Sequence, residues 1–503
     1  MLETNRTDST DSTDLAERFN PAPGKPEASN DIALALQPDG RLPSTEPLCR
    51  FRLPAAHHCG ASDAPVPRVA HTYFAVRLKF GLASAFASAW MVFSIFAAEA
   101  WILDFSQVVG VLPAYLSIYG IAVVPGFMNA FLFASLMLDR RPRLTDVGGA
   151  LPAITVLVAA YNEEKNIVET VNSIALQNYT GPMAVIVIDD GSTDTTARKL
   201  SELNYPWLQV INLEKNGGKA SALNQGLARV RSALTVTIDG DSYLYRHALN
   251  NLVRRYMSDP PTTRAVAGAV LVRNSRKNLV TAVQEWDYFQ GIAAIKRLQS
   301  LYQGTLVAQG AFSVYDTALL REMGGWPRTV GEDIVLTWDI LNRGHRVGFA
   351  ENACIFTNAP ETWGQFIRQR QRWARGMIEA FKAHGGLLVQ PRMTTLFIWW
   401  NLLFPYLDVA YTFAFIPGLV LALFGVYWLA GPMTLLVLPL AMVVNYLMFS
   451  IQSKMFTEQG LKVRRNVGGF IFYALLYSVV LQPACVIGYI QELTKRKKNW
   501  GTK

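Results

Sequence analysis

Long stretches without a single charged side chain flank a central region that is charged throughout, and they limit what this 503-residue chain can become. Residues 80–98, 105–138 and 466–491 contain no Asp, Glu, Lys or Arg, and residues 393–453 contain only Asp408. A helix of roughly 20 apolar residues crosses the hydrocarbon core of a bilayer, so each run is long enough to span it. The expected plan is two spanning helices over 78–139, a soluble region over 144–390 and about three spanning helices over 393–491. Pro113 opens the second helix and Pro125 kinks it, after a short hairpin connection around 104–110. Gly431-Pro432 is the expected turn inside the longest run. Asp139-Arg140-Arg141-Pro142-Arg143 closes the hairpin with positive charge, which places the soluble region in the cytoplasm. Three C-terminal spans would carry the basic tail, 492–503, to the other side, against the same tendency, so the count leaves room for one more span or a re-entrant helix.

Composition fits this plan. The chain is 51% hydrophobic with a formal charge of +9, and lysine and arginine gathered in loops beside a membrane account for that excess without nucleic acid. Cys49, Cys59, Cys354 and Cys485 show neither metal-type pairing nor a disulfide framework. Met1 opens a polar, acidic stretch rather than a signal peptide. Residues 1–70, with a Thr-Asp-Ser repeat and many prolines, read as a disordered tail.

In the central region apolar runs alternate with amphipathic stretches, the pattern of a doubly wound α/β sheet. Strands are expected at 154–160, 185–189, 208–213, 234–238 and 265–272, with helices at 163–177 and 218–230. The run over 234–238 ends in Asp239-Gly240-Asp241, two hard oxygen donors beyond a strand's carboxyl end, where such sheets bind ligands. The pair suits Mg²⁺ or Mn²⁺ carrying a diphosphate, with Gly240 allowing a tight turn; an Asp-rich turn is the plain alternative.

Four further stretches have both a structural and a chemical reading. Tyr161-Asn162-Glu163-Glu164 follows the first strand: Asn162 can cap a helix, while Tyr161 and Glu163 can contact a base or ribose. Asp189-Asp190-Gly191 starts a helix or, as in receiver domains, holds a phosphoacceptor; Asp190 can instead accept from a uracil ring. Asn216-Gly217-Gly218-Lys219 offers backbone N–H groups and a cation to an anion, or is a glycine turn with a solvated lysine. Gly331-Glu332-Asp333 puts acids in a first helical turn, where the dipole favours them, or sets a base across a cleft from a metal–diphosphate site. Gln369-Arg370-Gln371-Arg372-Trp373 lies in a basic helix near 360–382 that suits a membrane interface, while its Trp can face a sugar and its Arg a diphosphate.

Taken in this order, the stretches from about Ile154 to Trp373 closely resemble the processive, membrane-embedded family-2 glycosyltransferases. Asp-Gly-Asp, Gly-Glu-Asp and Gln-x-x-Arg-Trp in combination carry the resemblance. Within that group the chain is most similar to bacterial poly-β-1,6-N-acetylglucosamine synthases, on its two-then-three helix layout and Glu361-Thr362-Trp363. Chitin-oligosaccharide, hyaluronan and β-glucan synthases are close rivals. Glycine at 331 departs from the threonine many relatives have, and little consequence is expected from it.

The resemblance implies a GT-A (Rossmann-like) α/β domain in the cytoplasm, inserted between transmembrane α-helices of a bacterial inner-membrane protein. It implies donor contacts from Tyr161, Glu163, Asp190, Lys219 and Asp239, and a Mg²⁺ or Mn²⁺ site at Asp241 with Asp239. Asp333 would be the general base, Glu332 would shape its site, and Gln369, Arg372 and Trp373 would bind the acceptor and diphosphate. Implied partners are a UDP-sugar, a growing exopolysaccharide and the lipid bilayer, with a small membrane subunit left open and no nucleic acid. Trp399, Trp400, Tyr406 and Tyr411 would line a polymer channel or form an interfacial belt. Transfer of one sugar to a lipid carrier is the rival enzyme reading, and a phosphoacceptor receptor the rival of another class.

Overall fold

The run of β-branched and small apolar residues Ile154–Ala160 forms a strand buried along its whole length, and the domain's sheet is laid on both sides of it. The structure, a computed structural model, describes residues 2–4, 74–139, 150–431, 442–443, 445–450, 453, 461–463 and 465–496. The strands are β1 (Leu2–Thr4), β2 (Ile154–Ala160), β3 (Met183–Asp189), β4 (Leu208–Asn212), β5 (Leu234–Asp239), β6 (Tyr243–Leu244), β7 (Thr263–Val272), β8 (Phe312–Asp316), β9 (Arg346–Thr357) and β10 (Leu461–Val463). The helices that matter below are α1 (Val76–Val109), α2 (Val111–Leu138), α3 (Lys219–Leu227), α4 (Leu279–Trp286), α5 (Ala293–Leu301), α6 (Glu332–Asn342), α7 (Trp363–His384), α8 (Thr395–Leu423), α9 (Val467–Leu475) and α10 (Tyr477–Leu493).

Eight strands make one sheet in the order β4-β3-β2-β5-β8-β7-β9-β6. The first four are parallel, as nucleotide-binding halves are, and their register sets Ala159 beside Asp239 and Ala160 beside Asp189. The strand ends carrying the acidic motifs therefore share one edge. The far half departs from a doubly wound parallel sheet: β8 runs antiparallel to both β5 and β7, while β9 is parallel to β7. Gly268 on β7 is required there, because a Cβ would stand 2.1 Å from the Phe312 ring. The expected helices over 163–177 and 218–230 are shorter, at Ile167–Ala175 and Lys219–Leu227.

Among the described residues three helices are long and apolar enough to cross a membrane, α1, α2 and α8. α9 and α10 make a fourth if taken as one span bent by 53°. The remaining expected span falls largely on residues outside the described set, as do Cys49, Cys59 and the Thr-Asp-Ser repeat. Two expectations are corrected. The hairpin connection is not a loop over 104–110: α1 runs to Val109 and only Gly110, at φ 87°, breaks the helix. The tail is not wholly disordered either, since Leu2–Thr4 pairs with Leu461–Val463 as an antiparallel ladder. Pro125 lies just after a π turn (Tyr119–Val123) inside α2, which absorbs the missing N–H.

The sheet domain is docked onto these helices by aromatic packing. Tyr302, Phe131, Phe397 and Trp400 pack with ring centroids 5.1–6.3 Å apart, and the Tyr302 hydroxyl lies 3.0 Å from Ser135 Oγ. Arg297 pairs with Asp139 at the end of the α1–α2 hairpin. Trp400 is therefore core, Trp399 donates to Leu388 O at 3.1 Å on an exposed face, and Tyr406 donates to Leu116 O.

Candidate active site

The loops after β2, β3 and β5, the turn before β8 and the start of α6 meet at the carboxyl edge of the parallel strands. Lys219 opens α3, which follows Gly218 at φ 85°, a conformation that favours glycine. Its ammonium pairs with Asp239 at the end of β5 and lies 3.7 Å from Glu332 Oε1 at the start of α6. Lys219 is 9% exposed, so it is not the solvated lysine of a glycine turn. Burial works against its charge, but Asp239 and Glu332 outweigh burial and hold it protonated. Glu332 is pushed up by burial and by Asp333 beside it, against Lys219 and Arg372. Lys219 thus belongs first to Asp239, and Glu332 can present a proton to a ligand.

Gly310 is wedged between these groups. A Cβ there would stand 2.7 Å from Lys219 Nζ and 3.4 Å from Glu332 Oε1. Its N–H donates to Asp333 Oδ2 at 3.3 Å, and Asp333 Oδ1 accepts the N–H of Ile334. Thr337 ties the same pieces together, donating to Asp333 O at 2.6 Å and accepting from Ala308 N at 2.8 Å. Lys219, Asp239, Glu332 and Asp333 therefore converge on one turn. Asp241 follows Asp239 by two residues, across Gly240, with Oδ1 accepting from Thr357 at 3.2 Å. Gly240 is needed for space rather than for a left-handed turn, because a Cβ would meet Ala159 O at 3.2 Å and Glu163 Cγ at 3.3 Å.

Two sequence expectations about this edge change. The N–H groups of Gly217 and Gly218 are not open to an external anion: they donate to Asp190 at 2.9 and 2.8 Å. Burial raises the Asp190 carboxyl against those two donors, so this side chain shapes the loop. Asn162 does not cap a helix; it sits at φ 54°, donates its N–H to Ser192 and accepts from Thr193 N at 2.9 Å. Glu163 accepts from Asn166 at 2.9 Å, close to Gly240, and Tyr161 precedes it at the same edge.

The helix expected at the membrane interface is α7, begun by a capping box between Thr362 and Gln365. It packs against α6 and α10. Gly331 and Gly376 touch backbone to backbone, a Cβ on Gly331 standing 2.6 Å from Gly376 Cα. Glycine at 331 thus has a consequence after all: it lets α6 seat directly on α7. Glu379 of α7 accepts the N–H groups of Val330 and Gly331 at 2.8 and 3.0 Å, satisfying donors just before Glu332 and Asp333. On the same helix Gln369 is 9% exposed with Oε1 unpartnered, buried Arg372 Nε is likewise unpartnered, and Trp373 is 38% exposed. Arg372 acts electrostatically on Glu332, in keeping with the contact between α7 and α6.

Sequence reasoning missed Lys296. It lies on α5, buried, donating to Gln309 Oε1, whose Nε2 donates to Gly268 O at 2.6 Å. Burial lowers its ammonium to about 7 despite the pull of Asp333. The only local sign was a lysine following three apolar residues, Ala293-Ala294-Ile295, on a helix.

Among the described residues no three His, Cys, Asp or Glu side chains form a metal cage. Asp241 with Asp239 fits a different type of site, in which one or two carboxylates hold Mg²⁺ or Mn²⁺ and substrate phosphates and waters complete the shell.

Residues 152–376 match the family model described as "Glycosyltransferase like family 2". The chain carries a family-2 glycosyltransferase domain. With four parallel strands, an antiparallel partner at β8 and apolar helices on either side, this domain has the expected GT-A arrangement. A poly-β-1,6-N-acetyl-D-glucosamine synthase from Staphylococcus aureus (strain COL) is 31% identical over 229 residues, 45% of this chain and 55% of that protein. This chain's match thus spans about half the length of such relatives. The synthase of the same name from Staphylococcus epidermidis is 24% identical over 409 residues, 78% of this chain and 95% of that protein. Among solved structures, the mannosyltransferase PcManGT from Pyrobaculum calidifontis, in complex with GDP-Man and Mn²⁺, aligns at TM-score 0.49 and 17% identity over 84% of this chain and all of that one. S. aureus TarS aligns at 0.34 and 20% identity over 53% of this chain and 45% of that one.

Proposed function

We propose that this protein is an inverting, processive glycosyltransferase that polymerises β-1,6-linked N-acetylglucosamine from UDP-N-acetylglucosamine and passes the polymer across the bacterial inner membrane. The observation that carries this reading is the meeting of Lys219, Asp239, Glu332 and Asp333 around Gly310, beneath the helix bearing Gln369, Arg372 and Trp373. The relatives named as poly-β-1,6-N-acetyl-D-glucosamine synthases support the choice of polymer.

In this reading the catalytic domain faces the cytoplasm. Tyr161, Glu163, Asp190, Lys219 and Asp239 hold the uridine diphosphate part of the donor. Asp241, with Asp239, would hold a Mg²⁺ or Mn²⁺ ion, which supplies charge neutralisation to the departing diphosphate. Asp333 accepts the proton of the acceptor hydroxyl as its oxygen bonds to the sugar's C1. The bond from C1 to the diphosphate oxygen breaks, its electron pair leaves with UDP, and the configuration inverts. Positioned general-base catalysis contributes about 10²–10⁴ in rate. Lys219 and Arg372 stabilise the charge that develops on the leaving group. Glu332, buried beside Lys219, fixes the sugar's hydroxyls, and Trp373 offers its open face to the acceptor ring. A polar chain cannot cross hydrocarbon, so export needs a protein-lined passage through the apolar helices.

The test is to incubate membranes containing the protein with single UDP-sugars and digest the product with linkage-specific hydrolases. Polymer formed from UDP-N-acetylglucosamine and cleaved only by a β-1,6-specific enzyme supports the reading. A product one sugar long, or activity with another donor alone, overturns it.

A further inference from the structure

Arg370 lies inside the Gln-x-x-Arg-Trp stretch, yet it does not reach the pocket. It is 4% exposed, with its guanidinium 4.1 Å from the centroid of the Trp373 ring and 4.8 Å from that of Phe366. One terminal nitrogen is 2.8 Å from Asp287 Oδ2. Asp287 opens a π turn (Asp287–Ile292) between α4 and α5, and it is 8% exposed. Such turns widen a helix and commonly mark functional positions. Gly291 in that turn leaves the pair its room: a Cβ there would stand 2.9 Å from Asp287 Oδ1 and 3.3 Å from the Tyr473 hydroxyl. Tyr473 and Tyr477 stand either side of Leu476, where α9 and α10 bend by 53°, with rings 5.2 Å apart. Tyr477 packs on Phe366 at 5.5 Å.

Burying two charges is costly, and an apolar pair of the same volume is often as stable or more so. What this pair provides is a flat cation laid against one face of Trp373. Tyr288, at 6.3 Å and 52°, tilts against the same indole, and Trp373 still keeps 38% of its surface open. The ring is clamped on one side and free on another, next to the unpartnered Gln369 Oε1 and Arg372 Nε.

We propose that the Asp287–Arg370 ion pair is a positioning unit that fixes Trp373 as the platform for the acceptor sugar and ties that platform to the bend of the last apolar segment. The inference rests on the proposed acceptor role of Trp373. A desolvated cation–π contact and the ring placement it imposes are together worth about a tenfold change in affinity. Asp287 and Arg370 touch no reacting atom, so their effect is on acceptor use rather than on donor binding.

The experiment uses the full chain in membranes with UDP-N-acetylglucosamine and β-1,6-linked N-acetylglucosamine oligosaccharides as acceptors. In the double variant Asp287→Asn/Arg370→Met both charges go together, so no lone buried ion is left. The acceptor KM is expected to rise about tenfold with kcat within about twofold, a split that marks lost binding. UDP affinity by calorimetry should match the parent, which also reports that the domain is folded. Arg370→Lys keeps the charge without the flat fork, so it should keep most of the KM rise. An acceptor KM unchanged in the double variant, full restoration by lysine, or a loss confined to UDP affinity or kcat would each overturn the proposal. If the parent enzyme itself shows no dependence on acceptor oligosaccharide, the proposed function fails first, and that is read without any variant.

Discussion

Replacing Lys296 by methionine removes a buried ammonium that feels the charge of Asp333, and its effect on stability should depend on pH in a defined way. Burial lowers the Lys296 ammonium from its ordinary 10.5 to about 7. Below about pH 7 folded and unfolded chains both carry the proton, and the folded state bears the full penalty. Between 7 and 10.5 only the unfolded chain holds it, so the stability of the parent rises with pH across that window. At about 1.4 kcal/mol per pH unit the full penalty is about 5 kcal/mol, falling to about 2 kcal/mol at pH 9. Methionine escapes this penalty but leaves Gln309 Oε1 without its donor, at a pH-independent cost of about 1–3 kcal/mol. The change between pH 7 and pH 9 is therefore the clean quantity, about 3 kcal/mol. For a domain of this size that is roughly 6–12 °C in apparent unfolding midpoint. The assay is thermal unfolding of parent and Lys296→Met protein in detergent at half-unit steps from pH 6 to pH 9. The advantage of the variant should shrink steadily above pH 7. A difference that is flat with pH would refute the placement of Lys296 as a buried cation.

Other outcomes follow from single contacts. Gly331→Thr pushes a Cβ into Gly376, so it should cost about 1–3 kcal/mol in the unfolding midpoint and slow transfer by displacing Asp333. Parent-like stability and rate would mean that α6 and α7 are not in contact. Asp190→Ala leaves the N–H groups of Gly217 and Gly218 unpaired, at about 1–3 kcal/mol for each, and should weaken UDP binding measured by calorimetry. Asp241→Ala should weaken metal-dependent donor binding, and the affinity left should no longer respond to chelation; an unchanged metal requirement would contradict its role.

The parallel strands were legible in the sequence because each is a short apolar run followed within a few residues by acidic or turn-forming side chains, and period and punctuation are local signals. β8 and β9 were not, since their partners lie far along the chain and Gly268 is explained only by the Phe312 ring across from it. Lys219 and the acids at 239, 332 and 333 could all be named as candidates, but not the pairing that sets this lysine against Asp239 and beside Glu332. That Asp190 also accepts two glycine N–H groups 27 and 28 residues away could not be read, because no local pattern reveals it. Lys296 and Arg370 were passed over for the same reason. A lysine in an amphipathic helix and an arginine in a basic run look solvated until the opposing surface is known.

The most direct measurement compares Asp333→Asn with the parent for both donor binding and transfer. The asparagine can still accept the Gly310 N–H, so the turn is kept while the proton acceptor is lost. The expected result is UDP-N-acetylglucosamine affinity close to the parent, with polymer formation slowed by about 10²–10⁴. Transfer at the parental rate would place the base elsewhere, and joint loss of binding and transfer would remove Asp333 from the acceptor side of the pocket.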